Sequence, residues 1–323
     1  MTMITVLGAG AWGTAVATLL AANNHNVTLW CYNQEVAKSI HETRNNSRCL
    51  PNFELSEKIT PTTDLRVALA SEIIFEAIPV QFLRSVLEQC KPHRKNNQLW
   101  VGLSKGIEHK TLLVPTQMIT DILGDDVTCA ALSGPSYAHD LAEQQPTGVT
   151  IAADDAQVVE QLKELLTNDY FCVEKSDDLL GIQMGGALKN IFALGIGVLA
   201  GAGYQSNTQA LMMMRGLQEF EKLLTKLGCN KETLYSSAGI GDLVLTSFGG
   251  KSRNYNVGFL LGQGKKLDVI LKETGQTCEG ANTLKSIKQL AERNNIELPI
   301  CTQLYKITFE NTPVKHFAKT LCT

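Results

Sequence analysis

The 323-residue sequence has no surplus of positive charge: 29 basic against 32 acidic side chains leave a formal charge of −3. A broad basic surface able to neutralise phosphates is excluded, and no nucleic acid is expected as a partner. Its nine cysteines, scattered from Cys31 to Cys322, form no C-x-x-C pair and have no histidine at ligand spacing. Neither a zinc site nor a disulfide ladder is suggested, no metal is expected, and the unpatterned thiols point to a reducing cytoplasm. Internal repeats and low-complexity segments are also missing. Residues 4–22 (ITVLGAGAWGTAVATLLAA) carry no charge and superficially resemble a signal or membrane segment, but no basic residue precedes Lys38, so the positive flank of a leader is absent. The next-longest apolar run, Ile191 to Gly203, is too short and glycine-rich to span a bilayer, and no membrane insertion is expected. What is present is 44% hydrophobic and only 19% charged, which suits an ordered chain with a large core. The length suggests two domains.

Up to about Tyr170, short apolar runs alternate with amphipathic stretches, the βαβα pattern of a parallel sheet covered by helices. Strands are expected at Ile4–Leu7, Val27–Tyr32, Ile73–Ile78, Leu99–Leu103, Val127–Leu132, Val149–Ala152 and Phe171–Val173. Helices are expected at Trp12–Ala22, Val80–Gln89, Leu112–Leu123 and Asp155–Leu166. Glu76 interrupts an apolar strand; an edge position or a paired carboxylate is expected, without a catalytic role. From about Leu179 the period becomes helical throughout, over 179–200, 207–227, 254–262, 267–273, 282–294 and 300–310. The boundary is expected between Val173 and Gly185, giving a doubly wound α/β domain over 1–178 and an all-helical domain over 179–323, with a ligand cleft between them.

Residues 4–13 read ITVLGAGAWG, a strand followed at once by Gly8, Gly10 and Gly13 in G-x-G-x-x-G spacing and then by a helix. Gly8 serves the tight turn, Gly10 lets the backbone approach a pyrophosphate, and Gly13 lets helix pack on strand. Phosphates would sit on the helix N-terminus, where amides and dipole favour an anion. The spacing therefore predicts a Rossmann-type dinucleotide site. The residue that usually separates NAD from NADP, an acid or an Arg about 20 positions on, is missing: the second strand ends Trp30, Cys31, Tyr32, Asn33. Tyr32 either stacks on adenine or simply packs.

Other polar groups fall where strands end or helices begin, the ligand-binding edge of open α/β sheets. Lys105 follows the strand Leu99–Leu103. Ser133-Gly134-Pro135-Ser136-Tyr137-Ala138 follows the next strand and offers hydroxyls and amides to an anion, or an ordinary helix cap. Lys189 lies inside the apolar, Gly-rich stretch GIQMGGALKNIFALGIGVLAGAGY. Each interior glycine costs about 1 kcal/mol relative to Ala, so Gly185, Gly186, Gly195, Gly197 and Gly201 need close helix packing or a ligand in return. Burial there would lower the Lys189 pKa and make it a general base, unless the ammonium snorkels out. Asp242 and Thr246 precede Lys251-Ser252-Arg253-Asn254, where Arg253 with Ser252 and Asn254 at a helix start makes a phosphate clamp. A small phosphorylated substrate is expected.

Taken together and in order, GAGAWGTA, SKGIEHKT, SGPSYAHDLAEQQPT, GALKN, MMMRGLQE, GDLVLTS, KSRNYNVGFLLGQG and CEGANT resemble the bacterial-type NAD(P)-dependent glycerol-3-phosphate dehydrogenases from about residue 3 to 310. The resemblance implies interconversion of dihydroxyacetone phosphate and sn-glycerol 3-phosphate with NAD or NADP, in the service of phospholipid synthesis. It implies Lys189 as proton acceptor, and substrate contacts at Lys105, Gly134, Ser136, Asp242, Ser252, Arg253 and Asn254. It implies cofactor contacts at Ala11, Trp12, Tyr32, Lys105, Ala138, Arg253, Thr277 and Glu279, and a homodimer formed through the helical half. Where the family often has Ser, this chain has Ala11; where Arg or His, it has Tyr32, so NAD and NADP both stay open; where an apolar residue, it has Cys278. Two rival readings are a related hydroxy-acid or nucleotide-sugar dehydrogenase, the latter needing a nucleophilic Cys such as Cys278, and a non-catalytic cofactor-binding sensor, which gives no reason for Lys105, Lys189 and Asp242.

Overall fold

The computed structural model describes residues 3–248, 252–275 and 277–322. These form two compact units, one taking in residues through Lys105 and Leu113–Ile182, the other Gly106–Leu112 and residues from Gln183 on.

In the first unit β1 (Ile4–Leu7), α1 (Ala11–Ala22), β2 (Val27–Trp30), α2 (Gln34–Thr43), β3 (Ile59–Thr62), α3 (Leu65–Ala68), β4 (Ile73–Glu76), α4 (Val80–Cys90), β5 (Leu99–Gly102) and α5 (Pro115–Leu123) follow one another. Next come β6 (Thr128–Ser133), α6 (Ala138–Ala142), β7 (Thr147–Ala153), α7 (Ala156–Leu166) and β8 (Phe171–Ser176). The strands form one sheet in the order β3-β2-β1-β4-β5-β6-β7-β8. Alternation along each strand builds two cores: Ile4, Val6, Phe75 and Val101 face one way, Leu7, Ile74 and Trp100 the other. Helices cover both faces, as the doubly wound pattern requires. The order turns at β1, which lies between β2 and β4, so the ligand-binding crevice of such sheets falls at their carboxyl ends.

Several sequence expectations need correction. The sheet is not wholly parallel, because β7 runs antiparallel to β6. Strand β3 was not expected, since ITPT contains Pro61; it is an edge strand pairing only with β2, the place where proline is tolerated. Helix α2 was also missed: its apolar stripe consists of only Val36 and Ile40. Helix α5 begins at Pro115 rather than at Leu112, whose φ of 64° is not helical. Glu76 is not at an edge, for β4 is flanked by β1 and β5.

The second unit contains α8 (Leu179–Gly201), which starts just before it, then α9 (Ser206–Lys226), α10 (Asp242–Phe248), α11 (Arg253–Gly262) and α12 (Leu267–Thr274). It closes with α13 (Glu279–Asn294), α14 (Pro299–Glu310) and α15 (Val314–Thr320), and has no strand among its described residues. α10 and α15 are additions to the expected set. By length and composition α8 is apolar enough to cross a bilayer, yet 78% of its most apolar window is buried inside the protein, as in a core helix. Gly197 and Gly201 find their reason in a close helix crossing. A Cβ on Gly197 would come within 2.2 Å of the Tyr255 carbonyl oxygen, and one on Gly201 within 2.0 Å of that of Phe259. From the α11 side, Gly258 would meet the Leu194 oxygen at 2.1 Å and Gly262 the Val198 oxygen at 2.2 Å. Two glycines four apart on each helix thus let the backbones touch.

Candidate active site

The fingerprint turn has the geometry its glycines demand. Gly8 has φ 123° and would carry a Cβ only 2.7 Å from the Ala77 carbonyl oxygen; a Cβ on Gly13 would lie 1.9 Å from that of Gly8. Around Gly10 no atom of the described residues, its own chain neighbours and helix backbone aside, lies within 4 Å of the Cβ position, so the backbone is open to a ligand there. Gly10 is also the N-cap of α1, with no side-chain cap and no acid in the first turn, which leaves the amides of Ala11 and Trp12 to an anion. Asn46 holds the turn from behind, donating from Nδ2 to the Ala9 oxygen (3.0 Å) and to Thr14 Oγ1 (2.8 Å). Asn46 Oδ1 and Trp12 Nε1 are buried without a protein partner. Open space, free amides and orphaned polar atoms fit a dinucleotide pyrophosphate. After β2, Tyr32 is 82% exposed with an edge contact to Trp30, and Asn33 caps α2 by accepting from Glu35 N–H at 2.7 Å. The position where the family often has Arg or His is thus an exposed tyrosine, and the residue after it serves as a helix cap.

Beyond β5 and β6 a second polar group assembles in the same unit. Lys105 Nζ donates to the Gly134 oxygen at 3.0 Å, and Ser136 Oγ donates to that same oxygen at 3.0 Å. Gly134 is required because a Cβ there would lie 2.7 Å from Val149 Cα. Ala138 is the first residue of α6. The three residues expected at this edge are thus brought together, and the side chain of Ser104 joins them to Glu76 at 2.8 Å.

Within the helical unit, Lys189 of α8 and Asp242 of α10 form an ion pair whose side chains are 12% and 0% exposed. Gly185, one turn before Lys189, is where the chain at Ala238 crosses α8, for a Cβ there would meet the Ala238 oxygen at 2.6 Å. That crossing leads directly into Asp242, which also accepts from Thr246 Oγ1 at 3.3 Å. Lys189 therefore neither stands in purely apolar surroundings nor snorkels to water: a buried carboxylate was its missing partner.

The expected clamp divides its labour. Ser252 is the N-cap of α11, accepting from Tyr255 N–H at 3.3 Å. Asn254 is buried; its Nδ2 donates to Asn190 Oδ1 at 2.9 Å, and its Oδ1 accepts from Gly280 N–H at 2.9 Å and from the Cys278 thiol at 3.4 Å. Arg253 is the exposed member of the three. Asn190 was not singled out from sequence, although it stands beside Lys189; its signal was a polar residue adjoining another in an apolar helix. Glu279 opens α13, and burial pushes its carboxyl up while the Arg253 charge pulls it down. Thr277 is exposed, two residues before Glu279. Lys251 lies outside the described residues. Burial pushes the Cys278 thiol up to about 11, against its service as a thiolate nucleophile.

Comparison with known proteins places the chain in a family. Residues 3–159 match the N-terminal and residues 178–319 the C-terminal family description of NAD-dependent glycerol-3-phosphate dehydrogenase. The glycerol-3-phosphate dehydrogenase (NAD(P)+) of Syntrophotalea carbinolica is 39% identical over 311 residues, 95% of this chain and 93% of the relative. That of Staphylococcus haemolyticus is 38% identical over 324 residues, 99% and 98% of the two chains. The crystal structure of glycerol-3-phosphate dehydrogenase from Coxiella burnetii superposes with a TM-score of 0.94 at 32% identity, covering 99% of this chain and 98% of that one.

Proposed function

The chain belongs to the NAD-dependent glycerol-3-phosphate dehydrogenase family and is an NAD(P)-dependent oxidoreductase; we propose that it interconverts dihydroxyacetone phosphate and sn-glycerol 3-phosphate for glycerophospholipid synthesis. The buried Lys189–Asp242 pair carries this reading. Reducing a ketone requires one proton at the carbonyl oxygen, and a lysine held in a water-poor site by a carboxylate is suited to deliver it. When bound, the nicotinamide supplies or takes up the hydride at C2.

Lys189 gives a proton to the forming alkoxide during reduction and takes it from the C2 hydroxyl in reverse. Asp242 aims the ammonium and balances its charge, and Lys105 adds a second cation that helps orient the C2 oxygen. Arg253, with the first amides of α11, holds the substrate phosphate. Ser252 and Asn254 keep that helix start in place, and Gly134 and Ser136 border the substrate near Lys105. Phosphate binding away from C2 orients the reacting carbon, an effect worth several kcal/mol of barrier. Gly8, Gly10, Ala11, Trp12 and Gly13 would hold the cofactor pyrophosphate, Tyr32 would meet the adenine, and Ala138, Arg253, Thr277 and Glu279 would complete the cofactor contacts.

The nucleotide-sugar alternative loses its nucleophile, since Cys278 is buried and donates to Asn254. We further propose a cytoplasmic homodimer. Support comes from the patternless thiols and from exposed Met214, Tyr235, Val244 and Phe248 on the helical unit; sedimentation velocity reads the oligomer directly. The deciding assay follows oxidation of NADH and of NADPH separately with dihydroxyacetone phosphate. Oxidation of one or both is expected and ranks the two cofactors; no oxidation of either overturns the reading.

A further inference from the structure

Glu76 is wholly buried and has no task in the reaction described above. It ends β4 between Leu7 of β1 and Gly102 of β5, at the turn in strand order where open sheets bind ligands. Its Oε1 accepts from Ile78 N–H at 2.5 Å and lies 2.8 Å from Ser104 Oγ. Ser104 Oγ is also 2.5 Å from the Ile78 carbonyl oxygen. Glu76 Oε2 is buried with no hydrogen-bond partner.

Counting protons decides the state of this group. A serine hydroxyl has one proton to give, and a carbonyl oxygen can only accept. Ser104 therefore donates to the Ile78 oxygen, and its approach to Glu76 Oε1 calls for a proton on the glutamate. Were Glu76 ionised, two acceptors would compete for one hydroxyl proton, and in a site closed to water the charge would rest on the backbone N–H groups of Ile78, Ser104 and Leu103, none of them within hydrogen-bond reach of Oε2. The neutral acid instead completes a chain in which Glu76 donates to Ser104 and Ser104 to the Ile78 carbonyl.

We propose that Glu76 is a positioning residue that works as a neutral carboxylic acid, its proton tying Ser104, and with it Lys105, to the Ala77–Ile78 turn behind Gly8. The inference rests on the dinucleotide-dependent reading above. Ala77 and Ile78 are the residues a Cβ on Gly8 would strike, at 2.7 Å and 3.4 Å. Moving that turn therefore moves the pyrophosphate cradle and the Lys105 exit together. Burial has the largest effect and pushes the carboxyl up to about 7, opposed by the Ile78 N–H, by the Ser104 hydroxyl when it turns to the ionised form, and by the backbone N–H groups of Ser104 and Leu103. Around it, β1 and β5 carry no titratable side chain. On the helices of that sheet face, Arg66 pairs with Asp64, Arg84 of α4 pairs with Asp121 of α5, Glu88 is exposed, and burial pushes the Cys90 thiol up to about 12. Lys105, next to Ser104, donates to Gly134.

The test measures NADH binding by nicotinamide fluorescence between about pH 6 and about pH 8.5, and the infrared carbonyl band of a protonated carboxyl in cofactor-free protein. If NADPH is the nucleotide oxidised in the assay above, it replaces NADH. Wild type is expected to lose affinity about tenfold across this range while the band fades in parallel. Glu76→Gln is expected to lack the band and to vary less than about twofold. A wild-type protein without the band at the acid end, a flat wild-type affinity, or a Glu76→Gln curve that follows wild type overturns the inference. If Glu76→Gln does not fold, Ser104→Ala serves instead; loss of the pH dependence supports the chain, and its persistence overturns it. Failure of wild type to bind either nucleotide at any pH overturns the dinucleotide reading itself, an outcome distinct from tight binding that ignores pH.

Discussion

Lys189 and Asp242, fifty-three positions apart in sequence, meet as an ion pair with the carboxylate wholly shut off from water. In the proposed reaction the pair would fix both the place and the supply of the proton that ketone reduction consumes. Lys189→Ala is expected to lower kcat about a hundred- to ten-thousandfold, with cofactor affinity by fluorescence titration preserved. Near-normal turnover would remove Lys189 from the chemistry. Asp242→Asn leaves a buried ammonium without its counter-charge and is expected to lower stability by about 3–5 kcal/mol as well as turnover; denaturant unfolding reads the first and steady-state kinetics the second.

Arg253 is the exposed member of the helix-start trio, so its loss should act on substrate rather than on folding. Arg253→Ala is expected to raise KM for dihydroxyacetone phosphate about 10–100-fold, the worth of a charged hydrogen bond, with a smaller change in kcat. An unchanged KM counts against phosphate binding there.

Gly258 lies against the backbone of α8, with the Leu194 oxygen 2.1 Å from where a Cβ would be. Gly258→Ala is expected to cost about 1–3 kcal/mol through forced separation of α8 and α11, despite the better helix propensity of Ala. Urea unfolding measures it, and a variant more stable than wild type would show that the crossing is loose.

The Glu76 carboxyl stands at about 7 in the fold against an ordinary value of 4.5. The folded form binds the proton more tightly, so this group's full contribution to stability is present below about 4.5 and lost as pH rises through about 7. Relative to Glu76→Gln, wild type is expected to lose about 3 kcal/mol between those limits. Parallel pH–stability curves for the two proteins would contradict this.

Cys278 is buried, whereas Cys172 and Cys322 are exposed. Iodoacetamide is expected to label the two exposed thiols while turnover persists, and Cys278→Ser to retain most activity. Complete inactivation that tracks labelling of Cys278 would revive the thiol mechanism.

Much of this was legible in sequence because it is local. The G-x-G-x-x-G turn, the strands around β1 and the long helices each advertise themselves within a dozen residues, through period and spacing. β3 escaped because Pro61 argues against a strand unless its edge position is known, and α2 because two apolar side chains make too thin a stripe. The antiparallel β7 escaped because strand direction depends on how the chain returns and not on composition.

By itself the sequence determined the α/β-then-α order and the glycine-rich turn, and it nominated most of the polar residues of the candidate site, since each is a short-range pattern of residue type. Only the tertiary structure decided their partners. It paired Lys189 with Asp242, made Asn254 a link between Asn190 and Gly280, explained Gly197 and Gly201 of α8 by a backbone crossing with α11, and buried Glu76 in the middle of the sheet. Those relationships join residues tens to hundreds of positions apart, and burial, charge pairing and proton sharing arise only once the chain has closed around them.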